Sequence, residues 1–367
     1  MIWNKPTQYQ IEKYQKGCRI SKLFQKNIDC DSDIQPSLNC KLYRFEDLEN
    51  INENMLEKNS PFKEMILTEL NVIKEKQINA EEKFRRESEF KSVLKNFFNF
   101  QANSTIIFNA FEILEHIEEN NKLKLKKISC PEELNPQFSY VKVDQDKCEE
   151  ICFKTVGQSS SSNWFKERFI RITCSTRAHA VKTRREKNLD SLARKFIKQK
   201  YKGNLTKDMK YGLRMEKYAR TAFEEKTGLK VIEVGLVVSL QQPFLACSPD
   251  GIVVVEGTYE SLEIKCPSTC EDKLIINEDT KEVYPKYLYF DDDGKVLLKE
   301  EHTYFTQIQV TMYILKIQMC HFFVYSSVDN VHIKVARDDE FLSEVIPKIE
   351  DFYYKKFLPL LPVPKVN

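Results

Sequence analysis

The stretch "ACSPDGIVVVEGTYESLEIKCP", Ala246 to Pro267, constrains the fold of this chain more than any other. Two runs rich in β-branched residues, "GIVVVEG" and "SLEIKCP", are parted by a glycine-containing turn and read as a pair of strands. Side chains alternate faces along a strand, so Glu263 and Lys265 share one face while Leu262, Ile264 and Cys266 share the other. The two opposite charges then stand about 7 Å apart along the strand. Asp250 immediately precedes the first strand, with Pro249 fixing the backbone before it and Gly251 permitting close approach after it. If the strands pair, Asp250 reaches the face that holds Glu263. Charged groups avoid surroundings this apolar unless something pairs them.

The elements around this corner mix helices with strands. "TKDMKYGLRMEKYARTAFEEKTG" reads as a helix ending at Gly228, and "LKVIEVGLVVSL" as a strand. "TYFTQIQVTMYILKIQ" reads as an almost wholly apolar helix, and "CHFFVYSS" and "VHIKVAR" as two further strands. Asp338 caps a last amphipathic helix carrying Phe341, Val345, Ile349 and Phe352. The expectation is an α/β domain with a central mixed sheet flanked by helices.

Domain limits follow from composition. "VGQSSSSN" reads as a serine-rich linker over 156–163, separating a mainly helical N-terminal region, 1–155, from a domain over 164–360. Ser60 and Pro61 mark one helix start in the first region, and helices are expected around 80–98 and 104–120. No chemistry-bearing motif stands out there. The 11 cysteines and five histidines show no zinc-site spacing, so free thiols are expected. The N-terminus lacks the apolar core of a signal peptide and no apolar run approaches the roughly 20 residues of a membrane helix. The expectation is an intracellular protein, nuclear or cytoplasmic, with no membrane partner.

Net charge is only +2, so attraction to an anion must come from local patches. Residues 164–202 contain 13 Lys or Arg against 3 Asp or Glu, an excess suited to a phosphate backbone and equally to a solvated helix face. On the helix before the strand pair, Tyr211, Met215, Ala219, Ala222 and Phe223 form the apolar stripe. Glu216 borders it, with Gly212 one turn earlier leaving room. Glu216, Asp250, Glu263 and Lys265 can therefore converge. Three carboxylates so close repel one another unless cations hold them, and hard divalent metals favour such oxygen ligands. By spacing alone the same residues also read as a surface ion pair beside a common Asp-Gly turn.

The order Glu216, "SPDG", "LEIKCP" resembles the PD-(D/E)xK nuclease superfamily, and more closely the YqaJ-type viral recombinase family that includes the lambda exonuclease. "WFKERFIRITCS", "YGLRMEKYARTAFEEKTGLKV", "ACSPDGI" and "YFTQIQVTMYI" are similar to further family motifs in the family's order, over roughly 164–355. The resemblance implies a restriction-endonuclease-like fold and metal-dependent digestion of DNA from its ends, 5′ to 3′. It implies Mg²⁺, with Mn²⁺ as a substitute, held by Glu216, Asp250 and Glu263, while Lys265 and Gln307 serve the attacking water. Arg168, Ser175 and Ser248 match the positions that seat a 5′-phosphate. Arginine suits bidentate phosphate contact, and Ser175 is expected to open a helix whose amino end attracts anions. The implied partner is duplex DNA with free ends, and the family's ring-shaped assembly raises a homo-oligomer as an expectation. An endonuclease on the same core and a DNA-binding derivative without cleavage are the alternatives.

The chain departs from that pattern between Lys265 and Gln307. "STCEDKLIINEDTKEVYPKYLYFDDDGKVLLKEEH" is longer than the phage-like pattern, and "YLYFDDDGKVLLK" reads as an added hairpin turning at Asp293 and Gly294. Its acidic tip leaves substrate shape and processivity open.

Overall fold

The computed structural model describes residues 84–101, 138–198 and 206–362. Those from Arg85 onward lie in one compact unit. Helix α1 covers residues 84–101. There follow α2 (Gln145–Lys154), α3 (Ser162–Phe169), β1 (Ile172–Thr173), α4 (Arg177–Thr183), α5 (Leu189–Lys198) and α6 (Lys207–Thr227). Strands β2 (Val237–Val238), β3 (Leu245–Cys247), β4 (Gly251–Val255) and β5 (Thr258–Lys265) come next. Two small hairpins, β6 (Ile276–Asn277) with β7 (Glu282–Val283) and β8 (Leu288–Phe290) with β9 (Val296–Leu298), lead to α7 (Thr303–Leu315). Strands β10 (Met319–Tyr325) and β11 (Asn330–Ala336) precede the last helix, α8 (Asp339–Phe352).

The main sheet has the order β11-β10-β5-β4, with β5 and β10 parallel and the outer pairs antiparallel. A smaller sheet, β1-β3-β2, joins β1 and β3 in parallel. The architecture is thus α/β with mixed sheets flanked by helices. The hairpin read in the sequence forms: β4 and β5 pair with Gly251 opposite Leu262, and Glu256 and Gly257 turn with φ of 50° and 83°. Two successive positive φ values suit the right-handed twist of a tight hairpin. Parallel strands need a crossover, and α7 supplies it between β5 and β10. That topology lays α7 against the strand that carries Glu263 and Lys265.

Helix α7 is buried all round from Phe305 to Leu315, in keeping with its largely apolar sequence. The buried Gln309 among them is satisfied by the Ala336 carbonyl at 2.9 Å and by the Asp338 N–H at 2.8 Å. Helix α6 packs Ala219 and Phe223 on Val253, Leu262 and Phe323 of the main sheet. Each fully buried side chain of this size contributes about 1.5–3 kcal/mol. Thr206 caps the start of α6 and Gly228, with φ +72°, ends it. Asp338 caps α8 by accepting from the Phe341 N–H at 2.9 Å.

Several expectations meet a different arrangement. The strand read over "LKVIEVGLVVSL" is regular only at Val237–Val238, with one bridge between Ile232 and Ile252. The segment instead runs against the end of α2: Leu236 N–H donates to Thr155 Oγ1 at 2.7 Å, and a Cβ on Gly235 would lie 2.0 Å from the Cys152 carbonyl oxygen. The serine-rich stretch 156–163 forms a 3₁₀ turn, Gln158–Ser160, and opens α3. Its Gln158 side chain donates to the Pro249 carbonyl at 3.1 Å. Serine competes for local backbone bonds, so the same composition serves a folded turn as well as a linker. The helix expected around 80–98 lies at 84–101. The helices expected from Ser60 and around 104–120, and the loose first fifty residues, lie outside the described residues. The described cysteines are free thiols. Among the described residues no helix is long and apolar enough to cross a membrane.

Candidate active site

Strand alternation puts the carboxylate and ammonium of β5 on one face, and there they meet: Lys265 Nζ bonds Glu263 Oε1 directly. The same Oε1 accepts from Gln307 Nε2 of α7 at 2.6 Å. Glu263 is only 3% exposed, so these two donors replace its lost water. Asp250, in the approach to β4, accepts from the Ile264 N–H at 2.7 Å through Oδ2, while its own N–H donates to Leu262 O at 3.1 Å. The hairpin register therefore fixes Asp250 beside the middle of β5. Glu216 comes from α6 and is paired by Arg220 one turn on, Nη2 to Oε1 at 2.8 Å. Glu216, Asp250 and Lys265 line one cleft of about 530 Å³ with Trp164, Gly212, Leu213 and Tyr304. Nothing stands within 4 Å of where a Cβ on Gly212 would lie, so that position is open.

The electrostatics follow from burial and crowding. Burial, then the charge of Asp250, pushes the Glu216 carboxyl up to about 7 against the pull of Arg220. Burial raises Glu263 to about 7 as well, opposed by Lys265 and reinforced by Asp250. Asp250 is raised by burial against the pull of Lys265 and the Ile264 N–H. Burial draws the Lys265 ammonium down, but the Glu263 and Asp250 charges outweigh it and hold its pKa above the usual lysine value. Lys265 also lies over the Tyr304 ring, 4.6 Å from its centroid. It is a fixed cation among carboxylates that resist ionising together.

As the side chains stand, no group of three or more His, Cys, Asp or Glu among the described residues is gathered closely enough to hold a metal ion. Glu263 is turned to Lys265 and Gln307, and Glu216 to Arg220. The donor chemistry nonetheless fits a hard divalent cation: three carboxylates bear on one another's ionisation, and a cation would relieve that repulsion.

A second cluster carries the residues matched to phosphate seating. The Arg168 guanidinium stacks over the Trp164 ring, 3.9 Å from its centroid, and donates to Ser175 Oγ at 3.3 Å. Trp164 Nε1 donates to Ser248 Oγ at 2.9 Å. The stacking of Arg168 on Trp164 thus joins two hydrogen-bonded pairs, Arg168 with Ser175 and Trp164 with Ser248, and Trp164 lines the cleft with Glu216 and Asp250. Ser175 does not open the helix, as was expected. It lies in the turn before it, and Thr176 is the N-cap residue of the short α4.

The basic excess of 164–202 is smaller in space than in sequence. Arg171, 1% exposed, donates to the Pro243, Glu167 and Val141 carbonyls. Arg177, also buried, donates to the carbonyls of Arg168, Phe169 and Arg171. Both serve the fold. Arg194, Lys195 and Lys198 line an open groove on α5.

Three site neighbours escaped the sequence reading. Arg220 was legible, because a residue four along a helix from Glu216 faces it. It also pairs with Glu233 at 2.7 Å. Tyr304 stands one turn before Gln307, inside the helix read as almost wholly apolar. Tyr287, in the segment between Lys265 and Gln307, had no signal.

Residues 163–318 match the family model of the YqaJ-like viral recombinase domain. Among solved structures, the chain is similar to an alkaline exonuclease, LHK-Exo, from Laribacter hongkongensis: 24% identity, 52% of this chain and 90% of that one, TM-score 0.40. It is also similar to a phage-related exonuclease from Haemophilus somnus 129PT, at 12% identity over 66% of this chain and 97% of that one, TM-score 0.32. A third is SOX in complex with DNA, at 12% identity over 58% and 72%, TM-score 0.35. No curated protein matches the chain.

Proposed function

We propose that this YqaJ-like chain is a metal-dependent DNA exonuclease that hydrolyses phosphodiester bonds from DNA ends, working 5′ to 3′ from a 5′-phosphate. One observation carries the reading: Glu216, Asp250 and Lys265 line the same cleft as Trp164, which donates to Ser248 and carries the stacked Arg168, itself a donor to Ser175. The cleavage groups and the arginine–serine cluster meet at Trp164.

Glu216, Asp250 and Glu263 would hold Mg²⁺ or Mn²⁺. The bound metal supplies charge neutralisation at the phosphodiester and acidifies water. The protein's own groups do the rest. Lys265, kept protonated by Glu263 and Asp250, offsets charge developing on the phosphate and orients the attacking water. Gln307 orients the Glu263 carboxylate by its 2.6 Å hydrogen bond to Oε1. Arg168 presents its fork to a terminal phosphate while stacked on Trp164.

The test uses end-labelled duplexes with 5′-phosphate or 5′-hydroxyl ends, and closed circles, in Mg²⁺ and in chelator. The expected result is stepwise release of nucleotides in Mg²⁺ only, faster from 5′-phosphate ends, with circles untouched. Cutting of circles makes the chain an endonuclease. Binding without cleavage in either Mg²⁺ or Mn²⁺ makes it a DNA-binding derivative.

A further inference from the structure

The segment between β5 and α7 is attached to the cleft rather than hung beside it. Ser268 Oγ bonds Asp208 in the first turn of α6, and Glu271 pairs with Arg214 at 2.8 Å. Asp329 accepts from the Ile275 N–H at 2.8 Å, and Ser326 Oγ donates to the Lys273 carbonyl at 2.8 Å. Pro267, Ser268, Thr269 and Tyr287 of this segment line the same cleft as Glu216, Asp250 and Lys265.

Tyr287 has no structural use for its hydroxyl. The residue is 8% exposed, and the phenolic oxygen is buried without a hydrogen-bond partner. Its ring is fully employed: it packs edge-on to Tyr304 at 4.9 Å and on His302 and Phe322. A phenylalanine would make those contacts at no polar cost. Buried hydroxyls that stay unpaired are costly and uncommon. The groups whose charge bears on this hydroxyl are Tyr304 and Cys266, which line the cleft, and the buried Cys270.

We propose that Tyr287 is a substrate-contacting residue, its hydroxyl donating to the nucleotide held at the scissile position, and that 267–301 is for that reason a recognition element of the cleft. Tyr304, against which the Tyr287 ring packs edge-on, lines the cleft beside it. This rests on the nuclease reading.

The test is Tyr287→Phe, which removes one oxygen and leaves the ring. Three measurements are made: thermal midpoint, affinity for a short 5′-phosphorylated duplex in chelator by fluorescence anisotropy, and KM and kcat in Mg²⁺. The expected result is a midpoint unchanged or raised, affinity weakened about fivefold to tenfold and KM raised alike, the scale of one ordinary hydrogen bond. Affinity and KM equal to wild type would overturn the proposal. So would a midpoint lowered by several degrees, since the hydroxyl would then be holding the fold. If the unaltered protein binds DNA but never cleaves it, the nuclease reading fails, while the anisotropy comparison still decides whether Tyr287 touches substrate.

Discussion

At the scale of single residues, the site turns on how Lys265 and Arg168 are held. Lys265→Ala is expected to lower cleavage by about 10²–10³-fold, as removal of one preorganised charge does. DNA affinity in chelator should change by less than about threefold. The same change strands the buried Glu263, so the thermal midpoint should fall, and Glu263→Gln in the same chain should recover part of that fall. Recovery of stability without recovery of cleavage separates the two roles of the lysine. Arg168→Lys keeps the charge but loses the fork and the stacking on Trp164. Affinity for 5′-phosphorylated ends should drop about tenfold, with 5′-hydroxyl ends unaffected; an equal drop on both would remove the arginine from end recognition. The approach of Asp250, Glu263 and Lys265 was legible from strand period and the hairpin, and Glu216 from its edge position on a helix, whereas the place of Gln307 came from the family resemblance. Tyr287 was not legible, because nothing in the segment's pattern tells which aromatic turns inward.

At the scale of elements, glycines and a histidine pair show what the packing demands. Gly235 lets the segment before β2 pass close to the end of α2, where a Cβ would meet Cys152 O at 2.0 Å and Thr155 Oγ1 at 2.4 Å. Gly235→Ala should cost about 1–3 kcal/mol through forced backbone shifts. Gly212→Ala, mid-helix with nothing within 4 Å, should gain about 0.5–1 kcal/mol. Urea midpoints of the two variants, moving in opposite directions, check this. The full-length strand read there failed because the pattern cannot show that the Leu236 N–H is claimed by Thr155 at a helix end. Strands β10 and β11 carry the histidines. His321 Nδ1 and His332 Nε2 share a hydrogen bond of 2.8 Å, and His321 Nε2 lies 2.6 Å from Glu260, out of hydrogen-bond alignment. Burial pushes both histidines down to about 4, and Lys334 adds to this at both, with Lys226 also acting on His332. Phe223 packs on both rings. A histidine whose folded pKa is depressed binds fewer protons than its unfolded form between that value and about 6.5. The histidine contribution is therefore whole above about 6.5 and is lost as pH falls toward about 4. The site carboxyls raised to about 7 act in the opposite sense over this range, so the readout is a difference: from pH 7 to pH 5 the thermal midpoint of wild type should drop relative to that of His332→Gln. Equal slopes would assign the acid sensitivity elsewhere.

At the scale of the whole molecule, the site is a stability debit that a cation can cancel. Burial and mutual charge raise Glu216 and Glu263 to about 7 and raise Asp250 also. Carboxyls raised in the folded state oppose folding once pH exceeds their unfolded values, and the opposition is complete above their folded ones. At pH 8 the metal-free chain therefore folds around three reluctant carboxylates, with Lys265 and Arg220 as partial compensation. A ligand that binds only the folded state adds about 2.7 kcal/mol at a hundredfold excess over Kd. For a domain of this size that corresponds to roughly 5–10 °C in Tm. Melting the protein at pH 8 with millimolar Mg²⁺ or Mn²⁺ and with chelator should show that rise. The double variant Glu216→Gln, Asp250→Asn should melt higher than wild type in chelator, because two of the repelling charges are gone, and should gain nothing from metal. Cation-independent melting of wild type would mean that Lys265 and Arg220 satisfy the carboxylates permanently. The cleft would then bind nucleic acid without a means to cut it. A metal-dependent rise that persists in the double variant would place the cation at some other set of ligands and detach the catalytic reading from Glu216 and Asp250.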